Sequence, residues 1–184
     1  VVIGAYNAGT GGAVYVYRAS DGAELAKLTA SDAAAGDGFG SWVAIDGDTA
    51  AICGDGSVYI FRTTDDGGTW SQVAKLVTSD GVSISRVAIS GDVVVAGANS
   101  DSSISTDAGS AYVFRTSDGG ASYVEVAKLT ASDGAADDNF GKSVAISGDK
   151  VLIGAYWNDA GASNSGSAYV FLDTLAPTPQ PTHL

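Results

Sequence analysis

The feature that most constrains this chain is that it repeats itself. Ala26-Lys27-Leu28 returns as Ala74-Lys75-Leu76 and as Ala127-Lys128-Leu129, a period of about 50 residues that belongs to repeat architectures. Val43-Ala44-Ile45-Asp46-Gly47-Asp48 returns at 87–92 and 144–149 with Ser replacing the first Asp. An apolar element closing on a small pair appears as Val2-Ile3-Gly4-Ala5, Ala51-Ile52-Cys53-Gly54, Val95-Ala96-Gly97-Ala98 and Leu152-Ile153-Gly154-Ala155. An aromatic element appears as Val14-Tyr15-Val16-Tyr17, Val58-Tyr59-Ile60-Phe61, Ala111-Tyr112-Val113-Phe114 and Ala168-Tyr169-Val170-Phe171. Each element is short, β-branched or aromatic, and bounded by Gly, Asp, Ser or Asn, which are strand signals. Ser90-Gly91-Asp92 and Ser147-Gly148-Asp149 fall between two such strands, where a tight turn needs the positive φ that Gly supplies. Helical periodicity is absent throughout.

Four antiparallel strands per unit predict an all-β chain: a β-propeller of four-stranded antiparallel blades, with about three and a half blades present. The elements divide residues 1–172 into a partial blade at 1–29, blades at about 41–77 and 84–130, and a partial blade at 141–172. All three prolines fall in residues 173–184, a Pro/Thr-rich segment that reads as a linker. An unclosed propeller leaves unpaired strand edges. The expectation is therefore either a segment of a longer chain or a homo-oligomer that completes the ring.

Composition then removes whole classes of function. With 21 acidic against 9 basic residues the net charge is −12, which repels phosphate backbones and anionic lipid, so no nucleic-acid partner is expected. Apolar runs such as Val93-Val94-Val95-Ala96 are too short to cross a bilayer, so no direct membrane insertion is expected. One cysteine, Cys53, permits neither an internal disulfide nor a thiolate metal cluster, and the one histidine, His183, lies in the proline-rich segment. The serines have no internal histidine to activate them, and Cys53 in an apolar strand reads as a small hydrophobe.

The repeated residues resemble the FG-GAP family of propeller repeats, found in integrin α-subunit heads and many secreted microbial proteins. Phe39-Gly40 and Phe140-Gly141 stand at the Phe-Gly positions; Gly4-Ala5, Gly97-Ala98 and Gly154-Ala155 stand at the Gly-Ala positions. The second Phe-Gly is lost, because Ser79-Asp80-Gly81-Val82-Ser83-Ile84 is shorter than its counterparts. The Gly47-Asp48, Gly91-Asp92 and Gly148-Asp149 turns are too short to wrap an ion that takes six to eight oxygens, so integrin-style calcium does not carry over. Locally, Thr63-Thr64-Asp65-Asp66-Gly67-Gly68-Thr69-Trp70 is similar to the Asp-box of sialidases, and Asp118, Gly120 and Tyr123 form a looser copy. This implies a structural hairpin fastener: the Asp accepts backbone N–H bonds while the aromatic packs beneath.

Three groups of residues are candidates for chemistry. Asp133, Asp137, Asp138 and Asn139, and in thinner form Asp32 and Asp37, have the hard oxygen chemistry of a calcium loop, against a plainer reading as solvated turns. The loops after the Gly-Ala strands carry Tyr6 and Asn7, Asn99 and Asp101, and Tyr156, Trp157, Asn158 and Asp159. These loops follow equivalent strands and are expected to gather on one face, where aromatics and amides stack on a sugar or anchor a protein, or else cap the core. Arg18, Arg62 and Arg115 end the aromatic strand and read as structural partners of nearby Asp. No catalytic residue is identified. Glu24 and Glu125 are the only glutamates, and a glycosidase needs two carboxylates held across a cleft. The sequence reads as a non-enzymatic extracellular module, secreted or at the cell surface, that binds protein or glycan through its loops. The alternative is part of a propeller glycoside hydrolase or lyase whose catalytic residues lie in blades outside these residues.

Overall fold

The computed structural model describes residues 1–159 and 161–172; the proline-rich segment lies outside the described residues. Four antiparallel sheets follow one another along the chain. The first holds β1 (Val2–Ala5), β2 (Ala13–Tyr17) and β3 (Glu24–Leu28); the second holds β4 (Trp42–Asp46), β5 (Thr49–Gly54), β6 (Ser57–Thr63) and β7 (Trp70–Leu76). The third holds β8 (Arg86–Ser90), β9 (Val93–Ala98), β10 (Ser110–Arg115) and β11 (Val124–Leu129). The fourth holds β12 (Phe140–Ser147), β13 (Lys150–Ala155) and β14 (Ser167–Leu172). Every sheet is a meander in sequence order, the propeller-blade arrangement. The turns joining first and second strands pivot on Gly47, Gly91 and Gly148, with φ of 52°, 53° and 58°.

The core lies between sheets. Val14, Val16, Leu28 and Phe39 pack with Ile52, Tyr59 and Phe61; Val58, Ile60 and Leu76 pack with Val87, Val94, Tyr112 and Phe114; Val95, Val113 and Phe140 pack with Val151 and Ile153. β9 is buried along its whole length and β5 from Ala50 onward, because each is covered on both faces. Such strands read as continuous apolar runs without alternation. The first strands of adjacent sheets, β4 with β8 and β8 with β12, lie against each other and form the inner side of the array.

The two glycine motifs meet between sheets. A Cβ on Gly4 would run into the carbonyl of Gly40, and one on Gly97 into the carbonyl of Gly141. Gly40 and Gly141 also sit at φ 91°, where L side chains are strained. The preceding phenylalanines are fully buried, and their amides donate to Gly11 and Ala108 carbonyls at 2.8 and 2.9 Å, tying each new sheet to the one before. At the middle junction Ile84 takes the phenylalanine's place, 4% exposed and donating to the Gly56 carbonyl at 2.7 Å. Ser85 stands for the first glycine and Cys53 for the second: Gly40 donates to the Cys53 carbonyl as Ser85 donates to that of Gly97. Cys53 is buried and its thiol is pushed up to about 12 by that burial.

Candidate functional site

The antiparallel registers put the starts of β4, β8 and β12 at the same end of the sheets as the loops after β1, β9 and β13. At this end Tyr6 is 55% exposed, and Tyr156 and Trp157 are 43% and 46% exposed. The Tyr156 and Trp157 rings pack tilted at 37° with centroids 4.7 Å apart, and the Lys142 ammonium of β12 lies 5.7 Å from the Tyr156 ring. Sequence reasoning missed Trp42, which opens β4 with 43% exposure under the Arg86 guanidinium at 4.6 Å. A bulky aromatic at the start of an inner strand, where the third and fourth sheets carry Arg86 and Ser143 opposite the equivalent glycine, is the signal that marks it. Exposed aromatics beside cations make stacking contacts with apolar ring faces and planar groups.

Not all the loop residues join this surface. Asn7 and Asp159 are exposed, but Asn99, Asp101 and Asn158 are buried and hold loops together instead. Asn99 accepts from the Ser85 hydroxyl at 2.7 Å and donates to Asn139 Oδ1 at 3.1 Å. Asn158 donates to Asp138 Oδ2 at 2.9 Å and accepts from the Ser167 hydroxyl at 2.7 Å. Asp101 pairs with the Lys128 ammonium at 2.7 Å. Buried polar groups need partners, and those of these three lie in neighbouring strands and loops.

The acidic loops have structural partners as well. Asp37 accepts the Ala34 N–H at 2.6 Å and Asp138 the Ala135 N–H at 2.8 Å. Asp137 and Asn139 occupy positive φ (68° and 57°), and the Asn139 amide donates to the Asp137 carbonyl at 2.7 Å. Asp32 is taken by Lys75 at 2.8 Å and Asp133 by the Tyr169 hydroxyl at 2.6 Å. Among the described residues no group of three or more His, Cys, Asp or Glu side chains is placed to hold a metal.

Asp32 belongs to a clamp that the repeat builds again. In the second sheet Lys75 lies over the Tyr59 ring at 4.9 Å and pairs with Asp32 and, at 3.4 Å, Asp55. In the third, Lys128 lies over the Tyr112 ring at 5.3 Å and pairs with Asp80 at 2.7 Å, while the Tyr112 hydroxyl donates to both Asp80 oxygens. Lys128 holds Asp80 down at about 2, and hydrogen bonds to Asp32 and Tyr59 raise Lys75. Burial alone would raise Asp101, but the bonds from Lys128 and Ser103 outweigh it and leave its carboxyl lowered. A second contact runs alongside: Gln72 accepts the Ser31 N–H at 2.9 Å, and Glu125 accepts the Ser79 N–H at 2.7 Å. Each clamp ties the outermost strand of a sheet to the loop that entered that sheet.

At the opposite end lie the Asp-box hairpins. Asp65 accepts the Thr69 N–H and hydroxyl, both at 2.7 Å, and the Trp70 indole donates to the Gly67 carbonyl at 3.1 Å. Asp118 accepts the Ser122 N–H at 3.0 Å and its hydroxyl at 2.6 Å; Gly120 donates to Thr116 Oγ1 at 2.8 Å, and Tyr123 packs on the core. These bonds stabilise the carboxylates and lower both pKa values, led by Thr69 for Asp65 and by Ser122 for Asp118. Arg18 pairs with Asp21 at 2.9 Å, and Arg62 donates to the Gly119 carbonyl of the next hairpin.

The FG-GAP repeat family matches at residues 23–61, 70–114 and 123–171. This chain belongs to the FG-GAP repeat family. Each FG-GAP match starts at the outermost strand of one sheet and runs through the first three strands of the next, so the sequence repeat and the sheet are out of phase by one strand. Among solved structures, the chain is similar to YCF48 bound to D1 peptide, with 12% identity, a TM-score of 0.43 and coverage of 90% of this chain. It spans 61% of the length of that chain. No curated protein matches the sequence.

Proposed function

We propose that this FG-GAP segment is a non-enzymatic interaction module of a secreted or cell-surface protein, binding a protein or glycan through the loop end of its sheets. The observation that carries the reading is the exposure of Tyr6, Trp42, Tyr156 and Trp157 at the loop end of their sheets, with Arg86 over Trp42 and Lys142 beside Tyr156. Large exposed aromatics flanked by cations make efficient anchors because they bury much area at little conformational cost. A hydrolytic reading has no comparable support: Glu125 is taken by Ser79. Among the described residues no helix is long and apolar enough to cross a membrane, and the extracellular assignment rests on the FG-GAP family and the linker composition.

The test is an immobilised panel of neutral and sialylated oligosaccharides, run alongside cell-surface protein capture, with Trp42→Ala and Trp157→Ala. Both variants are expected to bind at least tenfold more weakly than the parent, about 1.4 kcal/mol, with melting temperatures unchanged. Hits that bind both variants as tightly as the parent would remove the aromatic face from the reading. Turnover of any panel member would overturn the non-enzymatic assignment.

A further inference from the structure

We propose that the cleft between the second and third sheets, at their Asp-box end, is a binding site for a free α-amino acid held as its zwitterion. The cleft has a volume of about 300 Å³, at the small end of the range in which proteins hold ligands. Arg62 and Asp46 line it from the second sheet, and Asp92 and Tyr123 line it from the third. Its opposite charges do not pair with one another. Among the described residues Arg62 has no carboxylate partner: Nη1 donates to the Gly119 carbonyl, and Nε is buried with no acceptor. Elsewhere cations meet acids, Arg18 with Asp21, Lys75 with Asp32, and Lys128 with Asp80 and Asp101. Buried donors ordinarily have acceptors, so the Arg62 guanidinium calls for one that the chain itself does not supply.

The groups that line the cleft are held in place by the fold. Asp46 ends β4, and its Oδ2 accepts the Gly91 N–H at 2.6 Å. The Asp92 carbonyl accepts the Thr116 N–H at 3.0 Å, which ties that turn to the end of β10. Both carboxylates are exposed, and among the described residues no cation pairs with either. Gly120 sits at φ 91°, and a Cβ there would come within 2.9 Å of Arg62 Nη1, so the glycine leaves the room that the guanidinium takes. At the preceding junction the corresponding Gly67 faces Leu25 and the Trp70 indole instead. A simple anion in the cleft meets the repulsion of two carboxylates, and a simple cation meets that of Arg62. An α-amino acid meets neither, because it carries both complements on one carbon. Its carboxylate takes charge-assisted bonds from the Arg62 guanidinium. Its ammonium lies toward Asp46 and Asp92, and its side chain is left for the Tyr123 side of the cleft.

The experiment is isothermal titration calorimetry of the full 184-residue chain with the standard amino acids, one at a time. At least one is expected to bind saturably with Kd below about 1 mM. Its N-acetyl and methyl ester forms each lack one of the two charges and are expected to bind at least tenfold more weakly. Arg62→Gln and Asp92→Asn are each expected to weaken binding at least tenfold, with circular dichroism verifying both folds. If loss of the bond to Gly119 unfolds Arg62→Gln, the exposed Asp92→Asn change carries the test. The Trp157→Ala protein is expected to bind the amino acid as the parent does, which separates this cleft from the aromatic residues at the loop end. The proposal is overturned if no member binds at up to about 1 mM. Equal binding of the acetylated or esterified form, or binding unchanged in Asp92→Asn, overturns it as well.

Discussion

Replacing Phe140 by Ala tests the idea that the Phe-Gly residue joins one sheet to the next. The Phe140 side chain is fully buried between the third and fourth sheets, with edge-on contacts to Tyr169 at 5.3 Å and Phe171 at 6.0 Å. Truncating a core Phe to Ala costs about 3–5 kcal/mol through lost burial and the cavity left behind. Each edge-to-face pair adds roughly 0.5–1.5 kcal/mol beyond its area, so a loss of about 4 kcal/mol is expected. A domain of this kind has only about 5–15 kcal/mol in total. With a urea slope of about 2 kcal/mol/M, the midpoint falls by about 2 M. Equilibrium urea titration followed by tryptophan fluorescence and circular dichroism measures it. The middle junction supplies the control, because Ile84 fills the same position there. Phe140→Ile is therefore expected to lose less than half of what Phe140→Ala loses. A Phe140→Ala loss below about 1.5 kcal/mol, or equal losses for the two variants, refutes the reasoning.

Two further predictions concern carboxylates. Asp80 titrates at about 2 in the folded protein against an ordinary 3.8, so its stabilisation is complete above pH 4 or so and disappears as pH falls toward 2. Its side chain is 38% exposed, and solvent screening reduces the contribution to about 1 kcal/mol. Melting temperature between pH 6 and 2 should therefore fall more steeply for the parent than for Asp80→Asn, and parallel curves would refute the clamp. Asp118→Ala should leave the sheets intact while the Ala121 and Ser122 amides, which donate to that carboxylate, exchange faster. Hydrogen exchange by mass spectrometry reads this, and loss of protection along all of β10 and β11 would contradict a role confined to the hairpin.

The strands were legible because their period, composition and Gly-Asp turns are local properties, and the FG-GAP motifs were legible as words. Their meaning was not: Gly97 and Gly141 matter because one would strike the other across a sheet junction, which is a distance between residues far apart in sequence. The same limit applies to the polar loops. Asn99, Asp101 and Asn158 look like ligand groups in polar loops, but their partners Asn139, Lys128 and Asp138 are up to 40 residues away, and only the folding of the strands into sheets brings them together. Asp32 reads from sequence as a hard oxygen ligand, and its partner Lys75 lies 43 residues on. A signal for that clamp did exist in the sequence: Ser-Asp, the strand tyrosine and the Ala-Lys-Leu lysine recur in step.

The one-strand offset between repeat and sheet has a consequence for how such an array can grow or shrink. Duplicating one repeat inserts an outer strand for the sheet upstream and three strands that await the next outer strand downstream, so every interior sheet stays four-stranded after the insertion. Deleting one repeat likewise heals the array, joining an upstream trio to a downstream outer strand in the same register. A copy number changed by recombination thus passes through no half-built interior sheet. Had the repeat and the sheet been in phase, each added unit would touch its neighbours only by packing, and no hydrogen-bonded ladder would cross the boundary between units.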